Sequence, residues 1–330
     1  MQKEYTERSS VFEPDGRVIN AGWSRNLAFD YNISGRHSQR DTYSVNSGEC
    51  SLYLSIENLG AAFAVKIALA DLKRGGVVSD CVIKKHKIIK NPLPDSADGG
   101  EFEYEDKWLR LKISDLPEGK SIKCEFEQFG GLNALSFDIF LLKNNSEVLD
   151  ELAPFERNRK YYYFKRFMPC YSAQGFIKAG SLVYSLSADG ANAYFDRIRF
   201  RKPRLHSYQR LGADCMLGDR RFTLNLASRV GDNRFGSENC FFLNGKLEKL
   251  SQITVKGTPN RIDRPVFFKG GVRALDITFK PFTVSGKAMI ADMGKTAVVF
   301  GRLYGTINRI DYEKPLVLDN AVAHLIFTEF

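Results

Sequence analysis

The feature that most constrains the fold is a two-residue alternation of apolar and polar side chains, repeated in short stretches along the chain. In residues 221–226, for example, Phe222, Leu224 and Leu226 alternate with three polar residues. Successive side chains of a β-strand point to opposite faces, so this pattern predicts a strand with one buried face. We count roughly twenty such strands between turn-forming residues, and find no amphipathic helix of ordinary length.

A β-hairpin is predicted most clearly around Asn244-Gly245. This dipeptide separates apolar residues 240–243 from the stretch 247–250. A two-residue type I′ turn needs positive φ at both central residues, which asparagine and glycine tolerate better than other residues. The segment 191–250 therefore predicts neighbouring antiparallel strands.

Twenty strands are more than one twisted sheet holds without curling or splitting, so the sequence predicts an all-β protein with two β-barrels or sandwiches in tandem. The stretch KNNSEVLDELAPFERNRK, residues 143–160, is the one polar connection with some helical character. We place the domain boundary there, which gives an N-terminal domain over residues 1–150 and a C-terminal domain over residues 151–330.

The chain is basic, with a net charge of +9. This charge favours an anionic partner, such as a membrane surface, nucleic acid or an acidic ligand; the alternative is an ordinary basic protein with scattered lysines. The stretch KYYYFKRF, residues 160–167, interleaves cations and rings. Such a stretch suits base stacking, a lipid interface, or a strand with aromatics inside and lysines outside. Because no nucleic-acid motif accompanies it, we predict no nucleic acid and at most weak membrane-surface association.

Six separated cysteines and four histidines, with no CxxC pair, make a zinc site improbable, and no Walker or GxGxxG loop is present. We therefore expect buried thiols, no metal and no cofactor. The first residues carry no hydrophobic segment, and no window approaches 18 uninterrupted apolar residues. The expected location is a reducing cytoplasm.

Several short motifs follow one another in a recognisable order. They are GWSR at 22–25, GR at 35–36, FDRIR at 195–199, SENCFF at 237–242 with GKLEKL after it, and FGRLYGTI at 300–307. In this order and spacing the chain resembles the bacterial domain of unknown function 2804 family over nearly its whole length. That family is distantly similar to carotenoid hydratase and AttH-like proteins. The resemblance implies two tandem lipocalin-like antiparallel β-barrels with a cavity for an apolar ligand.

The chain also departs from that family's pattern. It has the run DRIRF, residues 196–200, where relatives tend to have Asp-Trp-Gly-Arg-Gly. This departure implies that the ligand differs in shape from those of relatives. No catalytic residue of the carotenoid hydratase is carried over to this chain.

Two acidic residues are the candidates for catalysis. Asp196 lies in one predicted strand, and Glu238 stands where a glycine-rich loop enters another. We expect them to meet at one rim, with Arg199 nearby to orient a polar head group. Arg199 is three positions from Asp196, so the two converge only at a bulge or strand end. Otherwise each forms a structural ion pair.

Five residues are candidate ligand contacts: Trp23, Arg36, Arg199, Asn239 and Arg302. Asn239 either belongs to a site at a barrel mouth or caps the backbone of a turn. Arg302, which follows a glycine in a strand, points either into a cavity, where it binds a carboxylate, or outward into water.

These features predict a protein that binds an apolar or amphipathic small molecule in a barrel cavity, because barrels enclose cavities and no catalytic motif is evident. The alternative is an enzyme of hydratase or isomerase type acting on a lipid-like or isoprenoid-like substrate, with Asp196 or Glu238 as its acid. A peripheral membrane protein is a third interpretation.

Overall fold

The computed structural model describes most of the chain. The described residues are 2–30, 37–60, 62–85, 93–94, 100–130, 134–155, 158–201, 207–232, 234–257, 264–271, 275–282, 296–309 and 314–328. Within these ranges the regular structure consists of β-strands, with no helix. In particular, no described helix is long and apolar enough to cross a membrane.

Thirteen strands form the first sheet. They are β2 (Gly22–Ser24), β4 (Ser38–Asn46), β5 (Cys50–Asn58), β6 (Phe63–Asp71), β7 (Val77–Lys85), β8 (Phe102–Glu105), β9 (Leu109–Leu116), β10 (Gly119–Phe126), β11 (Leu135–Leu142), β12 (Leu149–Phe155), β13 (Asn158–Ala179), β14 (Leu182–Leu186) and β15 (Asn192–Arg201). Its main path runs β7-β6-β5-β4-β15-β13-β11-β10-β9-β8, and its strand pairs are antiparallel.

Nine strands form the second sheet. They are β16 (Tyr208–Leu217), β17 (Arg220–Ser228), β18 (Cys240–Leu243), β19 (Lys246–Lys249), β20 (Ile253–Lys256), β21 (Val266–Gly270), β22 (Leu275–Pro281), β23 (Thr296–Ile307) and β24 (Leu316–Thr328). Their order in the sheet is β19-β18-β17-β16-β24-β23-β22-β21-β20. Two short parallel strands, β1 (Ser9–Ser10) and β3 (Phe29–Asp30), pair near the N-terminus.

Each sheet curls around its own apolar core. In the first, residues such as Leu54, Ile67 and Ile139 face inward with the aromatic side chains of neighbouring strands. The second core contains, among others, Leu224, Phe268 and Phe279. These inward positions are the apolar members of the alternation, so burial of one face per strand accounts for both cores.

The outer faces of the two sheets pack against each other. Tyr53 and Ala68 of the first sheet contact Phe300 and Ile326 of the second. Some polar members of the alternation in β4, β5, β13 and β15, such as Glu57, lie on this outer face, so the second sheet buries them instead of leaving them in water. Polar side chains therefore make up much of the contact between the sheets.

The all-β architecture and the predicted hairpin are confirmed. β18 and β19 pair directly across Asn244 and Gly245, whose φ angles are 48° and 78°. The helical character expected in residues 143–160 is wrong. β12 occupies this region because Leu149 and Leu152 are buried when it pairs with β13 and β2.

The chain passes from one sheet to the other between Arg201 and Tyr208. The boundary predicted at residues 150/151 falls inside β12, whose pairing with β13 belongs to the first sheet. Division of the chain into two domains stays a prediction. We propose the connection 202–207 as its position, because the hydrogen-bonded sheet changes there.

Candidate functional site

Five buried polar residues meet between the two sheets, and we call them the interface cluster: Lys165, Asp196, Arg210, Asn225 and Glu238. The ammonium group of Lys165 donates to Asn225 Oδ1 over 2.7 Å and forms a salt bridge with Glu238. It also lies 3.2 Å from Asp196 Oδ2. One cation thus joins a carboxylate of the first sheet to a carboxylate of the second.

Arg210 makes the second bridge across the interface. Its Nε and Nη2 donate to the two oxygens of Glu238 over 3.1 and 2.9 Å. Its Nη1 is 3.6 Å from Asp196 Oδ2, and Nη2 donates to the hydroxyl of Tyr163. The cluster therefore balances two cations against two carboxylates, as a buried ionic group must.

Strand register explains why these residues meet. In the first sheet Phe167 pairs with Asp196 and Lys165 pairs with Ile198, so Lys165 and Asp196 lie diagonally on one face. In the second sheet Arg210 and Asn225 lie on adjacent antiparallel strands. The outer faces of the sheets oppose each other at these positions.

The electrostatics of Glu238 follow from its partners. Burial alone raises the pKa of this carboxyl, but Arg210 and Lys165 more than offset it and hold the pKa well below its usual range. Glu238 is therefore ionised at neutral pH. Asp196 Oδ1 is buried and has no hydrogen-bond partner among the described residues.

Glu151, which lies beside the cluster, behaves in the opposite way. It pairs with Lys165 across β12 and β13. Burial, with the nearby charge of Glu238 adding to it, raises the pKa of Glu151 to about 7, although Lys249 lies 3.5 Å away. The pKa values of two neighbouring carboxyl groups are thus shifted in opposite directions, the arrangement that acid–base catalysis uses.

A buried Tyr194–His324 pair adjoins the cluster, with 2.6 Å between the hydroxyl and Nε2. Burial, assisted by the charges of Arg210 and Lys165, lowers the pKa of His324 to about 3. The imidazole is therefore neutral and holds the phenol in place.

Beside Arg210 and Tyr163 lies a small void lined mainly by apolar side chains, including Ile198, Phe200 and Val230. Its volume of ≈ 20 Å³ is enough for about one water molecule. The cluster thus has room for a water but not, in this arrangement, for a lipid-like ligand.

A much larger pocket, the mouth pocket, opens at one end of the first sheet with a volume of ≈ 640 Å³. Met168 and Tyr171 form its inner wall where it meets the apolar core. Its cations are Arg25, Lys120, Lys143 and Lys246, and its acids are Asp115 and Glu147. The volume is within the usual range for small-molecule sites.

Lys120 connects the mouth pocket to the aromatic interior of the sheet. Its ammonium lies 4.5 Å from the ring centroid of Phe195, and it pairs with Asp115. Burial lowers the pKa of Lys120, with Asp115 opposing the change. The rim also carries two exposed leucines, Leu27 and Leu116. The pocket is therefore apolar inside and predominantly basic at its opening.

The structure brings Asp196 and Glu238 together, as hypothesised, but between the sheets and not at a barrel rim. Arg199 points to the opposite face, where it donates to Asp41 Oδ1 over 2.8 Å and to the carbonyl of Pro94 over 3.0 Å. Three-residue spacing in a regular strand has this result.

The other predicted contact residues are dispersed. Trp23 packs among the apolar side chains between the sheets, with Arg25 and Lys249 5.5 and 5.2 Å from its ring. Asn239 accepts from the backbone of Ala227 over 2.7 Å, which is the capping alternative. Arg302 is half-buried and donates to a backbone carbonyl over 3.1 Å. Arg36 lies outside the described residues. The roles of all these residues in binding stay predictions.

Sequence reasoning missed Lys165, Arg210 and Glu151. Lys165 belongs to KYYYFKRF, for which one alternative was a strand with its lysines in water; instead both faces of the strand are buried around Lys165. A lysine between large aromatic residues in a long strand was the one available signal. Among the described residues, no group of three or more histidine, cysteine or acidic side chains is placed to hold a metal.

The family model named domain of unknown function 2804 (DUF2804) matches residues 2–324. The chain belongs to the DUF2804 family. This confirms the resemblance drawn from the sequence motifs. No curated protein matches the chain significantly in sequence.

Solved structures share the fold of this DUF2804 protein. Kievitone hydratase from Nectria haematococca is 10% identical, with a TM-score of 0.53 over 88% of each chain. A protein assigned as AttH from Nitrosomonas europaea is 8% identical, with a TM-score of 0.54 over 88% of this chain and 92% of that one. With the sheet topology, they confirm two tandem lipocalin-like antiparallel barrels. At such identities the likeness concerns the fold alone.

Proposed function

We propose that this protein binds an amphipathic small molecule with an anionic head group in the mouth pocket. The observation that carries the proposal is the pocket's composition: an inner wall of Met168 and Tyr171 and a lining with four cations, of which Lys120 is buried, and two acids. Burial of an apolar body against the wall supplies affinity, and the cations orient a carboxylate or similar head.

The charges at the opening favour an acidic head over a neutral one. Glu147 is shared by Arg25 and Lys246, each 3.5 Å away. Lys143 and Lys246 are both exposed at the opening, where a ligand head group can reach them. Counting Glu4, which pairs with Arg25 from outside the lining, four cations stand against three acids, so an incoming anion still meets a net attraction.

The test compares a fluorescent fatty acid, dansylaminoundecanoic acid, with its methyl ester. Lys143→Met/Lys246→Met removes two cations of the opening. We expect the acid to bind the unaltered protein and to bind the double variant about tenfold more weakly, with ester binding changed less than twofold.

Lys123→Met/Lys178→Met is the matched control, because both lysines are exposed and lie outside the mouth pocket. It removes the same net charge and is expected to leave acid binding within twofold. Equal binding of acid and ester, an equal loss in the control, or no binding of either probe would contradict the proposal.

A second candidate function is catalysis of hydration or isomerisation, on a substrate that reaches the cluster when the two sheets move apart, since the void there holds about one water. It is favoured by one specific observation, the raised pKa of Glu151, about 7, next to the ionised Glu238. In hydration, Glu151 gives a proton to one carbon of a double bond, water adds to the other, and that water returns a proton to a carboxylate. Glu238 is an unsuitable proton donor at neutral pH because two cations hold it ionised.

Isotope incorporation tests the catalytic candidate without a known substrate. The protein is incubated with a lipid extract of its own host in water enriched in ¹⁸O or deuterium, and products are followed by mass spectrometry. Catalysis predicts one labelled product that disappears with Glu151→Gln and persists with Glu103→Gln, whose carboxylate is exposed. Absence of incorporation with the unaltered protein would leave binding as the function.

A further inference from the structure

Asp214, in β16, is a buried carboxyl without a counter-ion in contact. Its Oδ1 accepts from the Thr223 hydroxyl over 3.2 Å, and its Oδ2 has no hydrogen-bond partner among the described residues. It is 1% exposed. The guanidinium of Arg221, the nearest cation acting on it, is bound to Asn192 and to the carbonyl of Ala188.

Asp214 lines a cleft of ≈ 310 Å³ between the two sheets, distinct from the mouth pocket and from the interface cluster. The end of β4 contributes Asn46, and β24 contributes Asp319 and Asn320. Apolar walls come from side chains that include Leu72 and Val322. The cleft therefore joins a buried acid, neutral amides, an exposed acid and an apolar surface.

The lining has one cation, Arg302, among the described residues, and this cation is already engaged. It donates to the carbonyl of Asn320 over 3.1 Å and lies 5.5 Å from the ring centroid of Phe282. The lining also has two acids, the buried Asp214 and the exposed Asp319. The charge balance of the cleft thus suits a cation better than an anion.

We propose that this cleft binds a small organic cation, with a primary ammonium group at Asp214 and an apolar body against Leu72 and Val322. A buried carboxyl with one unsatisfied oxygen is costly, and a cationic donor supplies both the missing hydrogen bond and the counter-charge. Burial raises the pKa of Asp214, which opposes ionisation of the carboxyl while the cleft is empty. An ammonium group beside it favours the carboxylate, and any proton that the carboxyl carries passes to solvent on binding.

The experiment uses two probes of nearly equal shape, phenethylamine and 2-phenylethanol, measured by calorimetry and thermal shift. We expect the amine to bind the unaltered protein at least tenfold more tightly than the alcohol. Asp214→Asn keeps the side-chain shape and the contact with Thr223 but cannot become an anion. This variant is expected to bind the amine at least tenfold more weakly than the unaltered protein does, and to bind the alcohol with unchanged affinity.

The control is Asp276→Asn, an exposed carboxylate of β22 that pairs with Lys269. It removes the same charge away from the cleft and is expected to leave amine binding within twofold. The proposal is overturned if amine and alcohol bind alike, if neither binds at millimolar concentration, or if Asp214→Asn binds the amine as well as the unaltered protein. Should Asp214→Asn fail to fold, the amine–alcohol difference in the unaltered protein still decides the matter.

Discussion

Along β5 and β6, the two faces of the first sheet are stabilised in different ways. On the inner face, Leu54 and Ile67 pair across β5 and β6 within an apolar core. On the outer face of the same strands, Glu57 and Lys66 are equally buried and form a salt bridge of 2.8 Å. The alternation of apolar and polar side chains thus distinguishes the two faces of a strand, but it does not show which face is exposed to water. In these strands both faces are buried.

The largest effect is expected from removing a charge on the outer face. Lys165→Met leaves Asp196 and Glu238 with Arg210 as their remaining cation in the interface cluster. Because a buried charge pair is broken, we expect the free energy of unfolding to fall by about 3–5 kcal/mol, measured by urea denaturation. Lys178→Met, an exposed lysine of the same strand, is the control and is expected to change it by less than about 0.5 kcal/mol. Equal effects would mean that the outer-face charges are solvated.

A second prediction uses the pH dependence of Glu151. Its pKa is about 7 in the folded protein and 4.5 in an ordinary environment, so the folded state binds an extra proton between these values. The unfolding free energy therefore decreases as pH rises from about 4.5 to 7, by roughly 3 kcal/mol from this group.

Glu151→Gln should remove that part of the pH dependence, and denaturation at several pH values checks it. The variant is expected to gain stability relative to the unaltered protein as pH rises through the window. The exposed Glu103→Gln should follow the unaltered protein throughout. Parallel curves for all three proteins would show that Glu151 is solvated in the folded state.

The smallest effect compares packing on the two faces. Ile139→Val on the inner face removes one methylene from the apolar core and should cost about 0.5–1.5 kcal/mol. Ile198→Val on the outer face, where the side chain is 1% exposed, should cost a similar amount if the interface is packed as a protein interior. A neutral Ile198→Val, seen in the same denaturation series, would show that the sheets are loosely joined.

Local signals predicted the fold well. The alternation in residues 221–226 placed β17, and Asn244-Gly245 placed the turn between β18 and β19, because both depend on neighbouring residues. β12 was missed because its burial comes from β13 and β2, which the local sequence does not show.

The site was predicted less completely for the same physical reason. Asp196 and Glu238 were predicted as neighbours, but the sequence pattern did not identify Lys165 and Arg210, the two cations that join them. Contact between the outer faces depends on how one sheet packs on the other. The two-residue alternation of apolar and polar side chains carries no information about this packing. Arg199 lies on the face opposite Asp196, as its three-residue spacing in a regular strand indicates, and forms the alternative ion pair with Asp41.

The pairing of β4 with β15 has a consequence for how the protein is made. Arg197 and Asp41, joined across this pair, are 156 positions apart in the chain. A ribosome adds about 5–20 residues per second, so β4 waits roughly 10–30 s for its partner during synthesis. Meanwhile one edge of β4 is an unpaired template for other chains. Because the partner strand is so distant in the chain, this pair forms slowly and the chain is exposed to aggregation while it waits. We therefore expect the yield of folded protein in cells to depend on chaperone supply and growth temperature more strongly than its stability alone would predict.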